Sequence, residues 1–275
     1  MTSRNEGSTP QSFWRYRAFL RQALREELVY KERVFLMLFS VALRMATQLF
    51  FWSVVYRQTS RIAGFDRDAI VTYVFMTTAL TFLFSGLFHR KMVQSIMDGS
   101  ISIDLARPVD LYVSYLFAYV GQVIFNLLSY VPVIMVGGIV LFHVRGPRTA
   151  AAWLLFLSSL ALGVLLWHSV RWLFSLIVVW TETGRGLGLL AGYIVQFLSG
   201  GLLPLTFFPA AVAGLFYWLP FQSIMFTPIG IFTGAIGIAR GEQLIGVELF
   251  WVVALFGLSR LGWSHALRVL SVQGG

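Results

Sequence analysis

The sequence predicts an all-α integral membrane protein with six transmembrane helices, an N-terminal interfacial amphipathic helix before them, and an outer re-entrant helical hairpin between helices five and six. Of its 275 residues, 57% are hydrophobic and 12% are charged, which is about half the charged fraction of a soluble domain. Several uncharged stretches reach the ~20 residues that cross a bilayer as a helix. The alternating segments of ~10 residues that are typical of a membrane β-barrel are not seen.

The chain before the first long apolar stretch divides into two parts. Residues 1–11 are polar and predict a disordered tail. Residues 12–31 predict an amphipathic helix that lies in the cytoplasmic headgroup layer, where its basic residues meet anionic lipids. A helix that binds a soluble partner is the alternative. The apolar face is Phe13, Tyr16, Leu20, Leu24 and Leu28, flanked by Arg15, Arg17, Arg21 and Arg25.

Residues 32–275 form the predicted transmembrane domain. Pro132 predicts a kink in the third span, and the fourth span is longer than a perpendicular crossing needs. The predicted spans are Val34–Tyr56, Ala69–Phe88, Leu111–Phe142, Ala151–Trp180, Leu187–Leu203 and Leu244–Ser259.

The uncharged stretch Leu205–Ile238 lies between the fifth and sixth predicted spans and contains Pro209, Pro220 and Pro228. Because proline interrupts helices, we interpret this stretch as a broken helical excursion that enters the outer side of the membrane and returns. The alternative is a complete additional span, which would place the C-terminus outside.

The distribution of basic residues predicts the orientation. With the N-terminus inside, thirteen Lys and Arg residues are cytoplasmic and six are outside, which favours both termini in the cytoplasm. The net charge of +9 therefore indicates a topology signal at the membrane edges, and we expect no nucleic-acid partner.

The polar loop His89–Asp110 is the longest interruption between two long apolar segments. Apolar residues at helical spacing predict a short amphipathic helix over Arg90–Asp98, ended by Gly99 in the left-handed conformation. Alternating apolar residues predict extended chain over 101–105, and Arg107 before Pro108 predicts that a new segment starts after it. Such a loop suits docking to a soluble partner, although an ordinary solvated loop has the same pattern.

The sequence lacks the motifs of an enzyme. Its two lysines, Lys31 and Lys91, do not follow a glycine, so a phosphate-binding G-x-x-x-x-G-K loop is excluded. There is no cysteine, the four histidines have no metal-ligand spacing, and no serine–histidine–carboxylate arrangement stands out. We therefore expect no catalytic activity, cofactor or metal in this chain.

Polar residues inside the predicted spans are candidates for the translocation path. Arg44 lies ~15 Å into the first span, with Gln48 one turn further on the same face. A charge at this depth is costly unless it faces protein or water, so a path role competes with a buried pair or snorkelling. Glu248 near the outer end of the last span is a conceivable partner of Arg44. His168 and Arg171 share a helical face and are predicted to be interfacial.

The chain resembles the permease subunits of ABC-2 type exporters over residues 13–275. The resemblance lies in the basic amphipathic helix, the loop "DGSISIDLARPVDL", the stretch "FLSGGLLPLTFFP…LPF…TPIG" and the end "LGWSHALRVLSVQGG". It implies six transmembrane helices with the outer hairpin, pairing with a second copy or a homologous permease in a bacterial inner membrane, and separate ATPase subunits that bind ATP and Mg²⁺.

The resemblance also implies roles for particular residues. Leu202 and Leu203 are similar to the paired leucines that form an outer plug in multidrug members, although Gly201 is an extra residue there, and packing at a helix end is the alternative. The residues implied to contact the ATPase are Lys91, Met92, Val93, Ile96, Met97, Asp98, Ile101, Ile103, Asp104, Leu105 and Arg107.

The predicted function is therefore a permease that forms the translocation path and couples to an ATPase through its first cytoplasmic loop. One alternative is an ion-coupled secondary transporter, for which Glu248 and His168 are the only intramembrane acid or histidine candidates. The other is a membrane assembly subunit that transports nothing.

Overall fold

The computed structural model describes residues 31–86, 89–181 and 185–273. The predicted tail over 1–11 and nearly all of the predicted amphipathic helix over 12–31 lie outside these residues, as does Glu182 in the predicted turn after the fourth span. Within the described ranges, helices dominate the structure and a short antiparallel pair of strands forms its one sheet.

The first half of the described chain holds six helices and the two strands. Asp66 caps the second helix by accepting a hydrogen bond from the amide of Ala69 at 2.8 Å, and Asp110 caps the fifth through Val113 at 3.1 Å. The elements are α1 (Lys31–Val55), β1 (Arg61–Ile62), β2 (Phe65–Asp66), α2 (Arg67–Leu83), α3 (Arg90–Met97), α4 (Ile101–Leu105), α5 (Leu111–Ser129) and α6 (Val131–Phe142).

The second half alternates long helices with short ones. The prolines of the uncharged stretch stand at the starts of short helical pieces, where a missing amide hydrogen costs nothing. The elements are α7 (Ala150–Thr181), α8 (Arg185–Leu198), a 3₁₀ turn (Leu205–Phe207), α9 (Ala210–Trp218), a second 3₁₀ turn (Pro220–Ser223), α10 (Phe226–Thr233) and α11 (Ile238–Gln273).

Three helical stretches of the described chain are long and apolar enough to cross a membrane. They are Leu111–Phe142, Ala150–Thr181 and Ile238–Leu270, and α1 contributes a shorter apolar stretch, Phe39–Val55. The first of them consists of α5 and α6, which meet at Tyr130, two residues before Pro132. The helix is thus interrupted beside Pro132, where a kink was predicted. The protein is an integral membrane protein of the all-α class.

Two helix ends and one short segment are among the differences from the prediction. The second helix ends at Leu83 instead of Phe88: Phe84 leaves the helical conformation with ψ 35°, and Gly86 follows in the left-handed conformation with φ +77°. The last helix runs to Gln273, well past the predicted Ser259. Residues 101–105 are helical, so the prediction of extended chain there was wrong: the amide of Ile103 bonds to the carbonyl of Ser100 at 3.0 Å.

The buried side chains form two clusters. The larger one joins α1, α2, α7 and the short helices after α8, and its fully buried members include Ile70, Leu166, Leu205 and Ile229. The smaller one lies where α3 meets the ends of α5, α7 and α11. The polar loop is thus built into the helix bundle at one end.

Candidate functional site

The inner side of α3 is covered by the chain itself. Met92 is fully buried and packs in the smaller cluster with Leu111, Trp172 and Ala266, and Ile96 packs at its edge. These neighbours come from the start of α5 and the late turns of α7 and α11. Met92 and Ile96, two residues of the predicted apolar face, therefore hold the loop to the spans.

A tight turn connects α3 to α4. Gly99 has φ +76°, the left-handed conformation predicted for the end of α3. Asp98 accepts hydrogen bonds from the amide and the hydroxyl of Ser100, at 3.0 and 2.6 Å. Both bonds lower the pKa of the Asp98 carboxyl, and the bond from the hydroxyl has the larger effect.

The outer side of the loop keeps three large apolar side chains in contact with solvent. Met97 is 60% exposed, Ile103 62% and Leu105 41%. We call these three residues the loop surface. Ile101, between them, is buried and anchors α4 to the bundle. Exposed apolar side chains grouped on a polar loop are typical of a protein contact.

The remaining predicted coupling residues surround the loop surface. Arg107 pairs with Asp104 at 3.2 Å, one turn apart. Lys91, Asp98 and Arg107 are exposed, while Val93, Ile96 and Asp104 are half-buried.

His89 fixes the start of the loop to α7. Its amide donates to the hydroxyl of Ser175 at 2.9 Å, and its buried ring lies 5.0 Å from that of His168. Burial, with Arg171 and His168 close by, holds the pKa of His89 well below its ordinary value, so the ring is neutral at physiological pH. The loop therefore begins from a buried, uncharged anchor.

His168 and Arg171 are buried in the bundle, and their position at the membrane interface stays a prediction. The Arg171 guanidinium stands 4.6 Å above the ring of Tyr119 and donates to Gln122 Oε1 at 3.3 Å, both on α5. The hydroxyls of Tyr112 and Ser169 make a second link between α5 and α7 at 2.8 Å. Sequence reasoning missed this polar cluster; its one signal was the shared face of His168 and Arg171.

The polar residues predicted for a path do not come together. Glu248 is fully buried in α11 and accepts a hydrogen bond from the hydroxyl of Ser159 on α7 at 2.8 Å. Arg44 and Gln48 are half-buried on α1, and Arg44 interacts electrostatically with Tyr193 of α8. Among the side chains that the structure describes, no ion pair joins Arg44 to Glu248.

The region of the paired leucines is a glycine turn after α8. Gly200 has φ +82°, and its carbonyl accepts from the Tyr73 hydroxyl at 2.7 Å. A side chain on Gly201 would meet Met225 Sδ at 2.7 Å, so the extra glycine permits a close approach. Leu202 is 42% exposed and Leu203 packs on the larger cluster, so the two leucines have different surroundings.

Comparison with known proteins gives one family. The family model described as "ABC-2 family transporter protein" matches residues 42–274, which include every described helix, α1 only in part. No curated protein matches the sequence.

Proposed function

Because the chain belongs to the ABC-2 transporter family, we propose that it is the membrane-spanning permease subunit of an ATP-driven exporter. The match over residues 42–274 is the observation that carries the proposal. The sequence has no phosphate-binding loop, so a separate ABC ATPase subunit would bind ATP and Mg²⁺ and supply the energy. This chain would supply the path through the membrane.

For the topology we propose six spans in a bacterial inner membrane, with both termini on the cytoplasmic side. The spans would be α1, α2, α5 with α6, α7, α8 and α11. The pieces from Leu205 to Thr233 would form the outer re-entrant hairpin, supported by contacts that fold them back: the amide of Phe226 bonds to the carbonyl of Ser199 at 3.0 Å, and Trp251 Nε1 of α11 donates to the carbonyl of Trp218 at 2.8 Å.

Further large apolar side chains stay exposed on the long helices. On α11, Phe250, Val253 and Leu261 are 64%, 70% and 69% exposed. Such faces suit lipid and a second permease, and we propose that two permease chains, identical or homologous, pair in the membrane.

The coupling contact that we propose is the loop surface, with the charges of Lys91, Asp104 and Arg107 setting its register. Burying one aliphatic side chain contributes about 1.5–3 kcal/mol, so burying all three residues of the loop surface would stabilise a contact with an ATPase. The inner face of α3 then passes the motion on: its neighbours are α5, α7 and α11. We infer that ATP-driven closure of the ATPases moves the loop and rocks these helices between inward-open and outward-open arrangements.

Co-purification with an ABC ATPase subunit, followed by substrate-stimulated ATP hydrolysis, tests the function. Ile103→Asp should leave insertion and the melting temperature unchanged, because Ile103 is exposed, and should abolish ATPase co-purification by placing an unpaired charge in the contact. Asp104→Ala should be milder, since exposed ion pairs contribute only ~0–1 kcal/mol.

The matched control is Ser60→Asp, which adds the same charge to the exposed loop before β1. ATP-dependent export that survives Ile103→Asp unchanged would reduce the loop to a solvated connector. Transport driven by an ion gradient without any ATPase would favour the secondary transporter, and the absence of transport with either energy source would favour the assembly subunit.

A further inference from the structure

A half-open cavity lies among α2, α7, α8 and the start of α10. It holds about 260 Å³. Trp167 on its wall is 17 residues from the start of α7, about 25 Å along a helix of about 48 Å, so the cavity sits near the middle of a predicted span. Its polar wall residues are Thr81, Ser85, Tyr193, Gln196, Ser199 and Trp167.

Three of the four hydroxyl groups of this wall have hydrogen-bond partners within the chain, and the fourth belongs to Tyr193, which is 65% exposed. Thr81 donates to the carbonyl of Thr77 at 2.7 Å, and Ser199 donates to that of Gln196 at 3.2 Å. The Ser85 hydroxyl accepts from Asn126 at 3.3 Å. The hydroxyls of Thr81, Ser85 and Ser199 therefore already have partners within the chain.

Two N–H donors remain. Trp167 is 6% exposed, and its Nε1 has no hydrogen-bond acceptor among the described residues; the same holds for the buried Nε2 of Gln196. A buried donor without a partner costs about 1–3 kcal/mol, so two beside one cavity point to an acceptor that comes from outside the chain.

The rest of the wall defines the other properties of that molecule. None of the described residues that line the cavity is charged, and most of the lining is apolar. Because Gly201 has no side chain, Gln196 and Met225 can both lie close to its backbone on one side of the cavity. A Cβ at position 201 would meet Gln196 Cγ at 2.9 Å. A volume somewhat below the ~300–1,000 Å³ of drug-sized sites fits a small molecule or one segment of a larger one.

We propose that this cavity binds the uncharged, hydrogen-bond-accepting group of an amphipathic molecule, such as an ester or ketone carbonyl, with Trp167 Nε1 and Gln196 Nε2 as its donors. As an assignment of the transported substrate class, this proposal rests on the permease function proposed above. The binding itself does not require an ATPase.

The test uses the full-length chain in lipid nanodiscs without an ATPase. The probe is a medium-chain methyl ester that carries a photoreactive diazirine, and mass spectrometry maps the cross-links. We expect cross-links concentrated on the cavity wall, suppressed by unlabelled methyl decanoate and much less by undecane, which has no acceptor. Trp167→Phe and Gln196→Leu should each weaken the ester's competition roughly threefold to tenfold, the effect of one neutral hydrogen bond.

Trp180→Phe is the control variant, because Trp180 is 48% exposed and does not line the cavity. Equal competition by undecane in the wild type would overturn the proposal even if a variant failed to fold, and so would cross-links spread over the exposed faces of the helices. Equal competition by the decanoate ion would overturn the assignment of an uncharged group. Loss of ATPase coupling would leave these results unaffected, so failure of the two proposals can be told apart.

Discussion

At the scale of single residues, one buried hydrogen bond joins the two longest helices. Glu248 and Ser159 are both fully buried at this contact. Ser159→Ala should destabilise the protein by about 1–3 kcal/mol, because it leaves a buried acceptor unpaired. Glu248→Gln should be neutral or stabilising, since the amide oxygen still accepts and no charge is buried. The measurement is the melting temperature of each purified variant in detergent.

The double variant with both substitutions completes a thermodynamic cycle for this pair. If Glu248→Gln lowered the melting temperature as much as Ser159→Ala does, the carboxylate charge itself would be required, and α7 and α11 would be held by more than this hydrogen bond.

Arg44 gives a prediction about transport. Its half-buried guanidinium lies near Tyr193, a wall residue of the cavity, so removing it changes the charge beside the proposed path. Arg44→Ala should alter substrate-stimulated ATP hydrolysis or export several-fold while the complex still assembles. Arg57→Ala, in the exposed loop after α1, is the control. Wild-type behaviour of Arg44→Ala in both assays would make the residue a structural or snorkelling one.

At the scale of elements, α3 is attached to α7 and is separated from α2 by non-helical chain at 84–86. The bond from the His89 amide to Ser175 Oγ brings the two residues near the ~4.4–6.8 Å Cα separation of a disulfide. If loop and helix move as one body, the pair His89→Cys with Ser175→Cys should transport equally well oxidised and reduced. The sequence has no cysteine of its own, so the reduced form is a clean control.

Export that stops on oxidation and returns on reduction would contradict this prediction. It would show that the loop moves relative to α7 during the cycle, and that the motion enters the bundle by another route.

The elements also show what sequence could and could not predict. Long apolar stretches fix their own helices, and Gly99 and Pro132 marked their breaks correctly. Over 101–105 the alternation is too short to separate a strand from a helix. The structure buries Ile101 and exposes Ile103 and Leu105, whereas extended chain would place all three on one face. The cavity was out of reach, because Trp167 and Gln196 are distant in the chain and only packing brings them together.

At the scale of the whole molecule, the proposed topology is open to direct measurement. Cysteines introduced at Ser100 and Ser271 should react with an impermeant maleimide only from the cytoplasm, and one at Ser60 only from outside. The reason is the excess of basic residues on the cytoplasmic side, thirteen against six. Labelling of Ser271 from outside would replace the re-entrant hairpin with an additional span.

Two sets of side chains on the loop between α2 and α5 have different roles. Met92 and Ile101 face the bundle and hold the fold, while Met97, Ile103 and Leu105 face away from it. If the loop surface contacts the ATPase as proposed, the outward positions can change during evolution without disturbing the spans. A permease given the outward residues of a relative would be redirected to that relative's ATPase and would keep its own cargo.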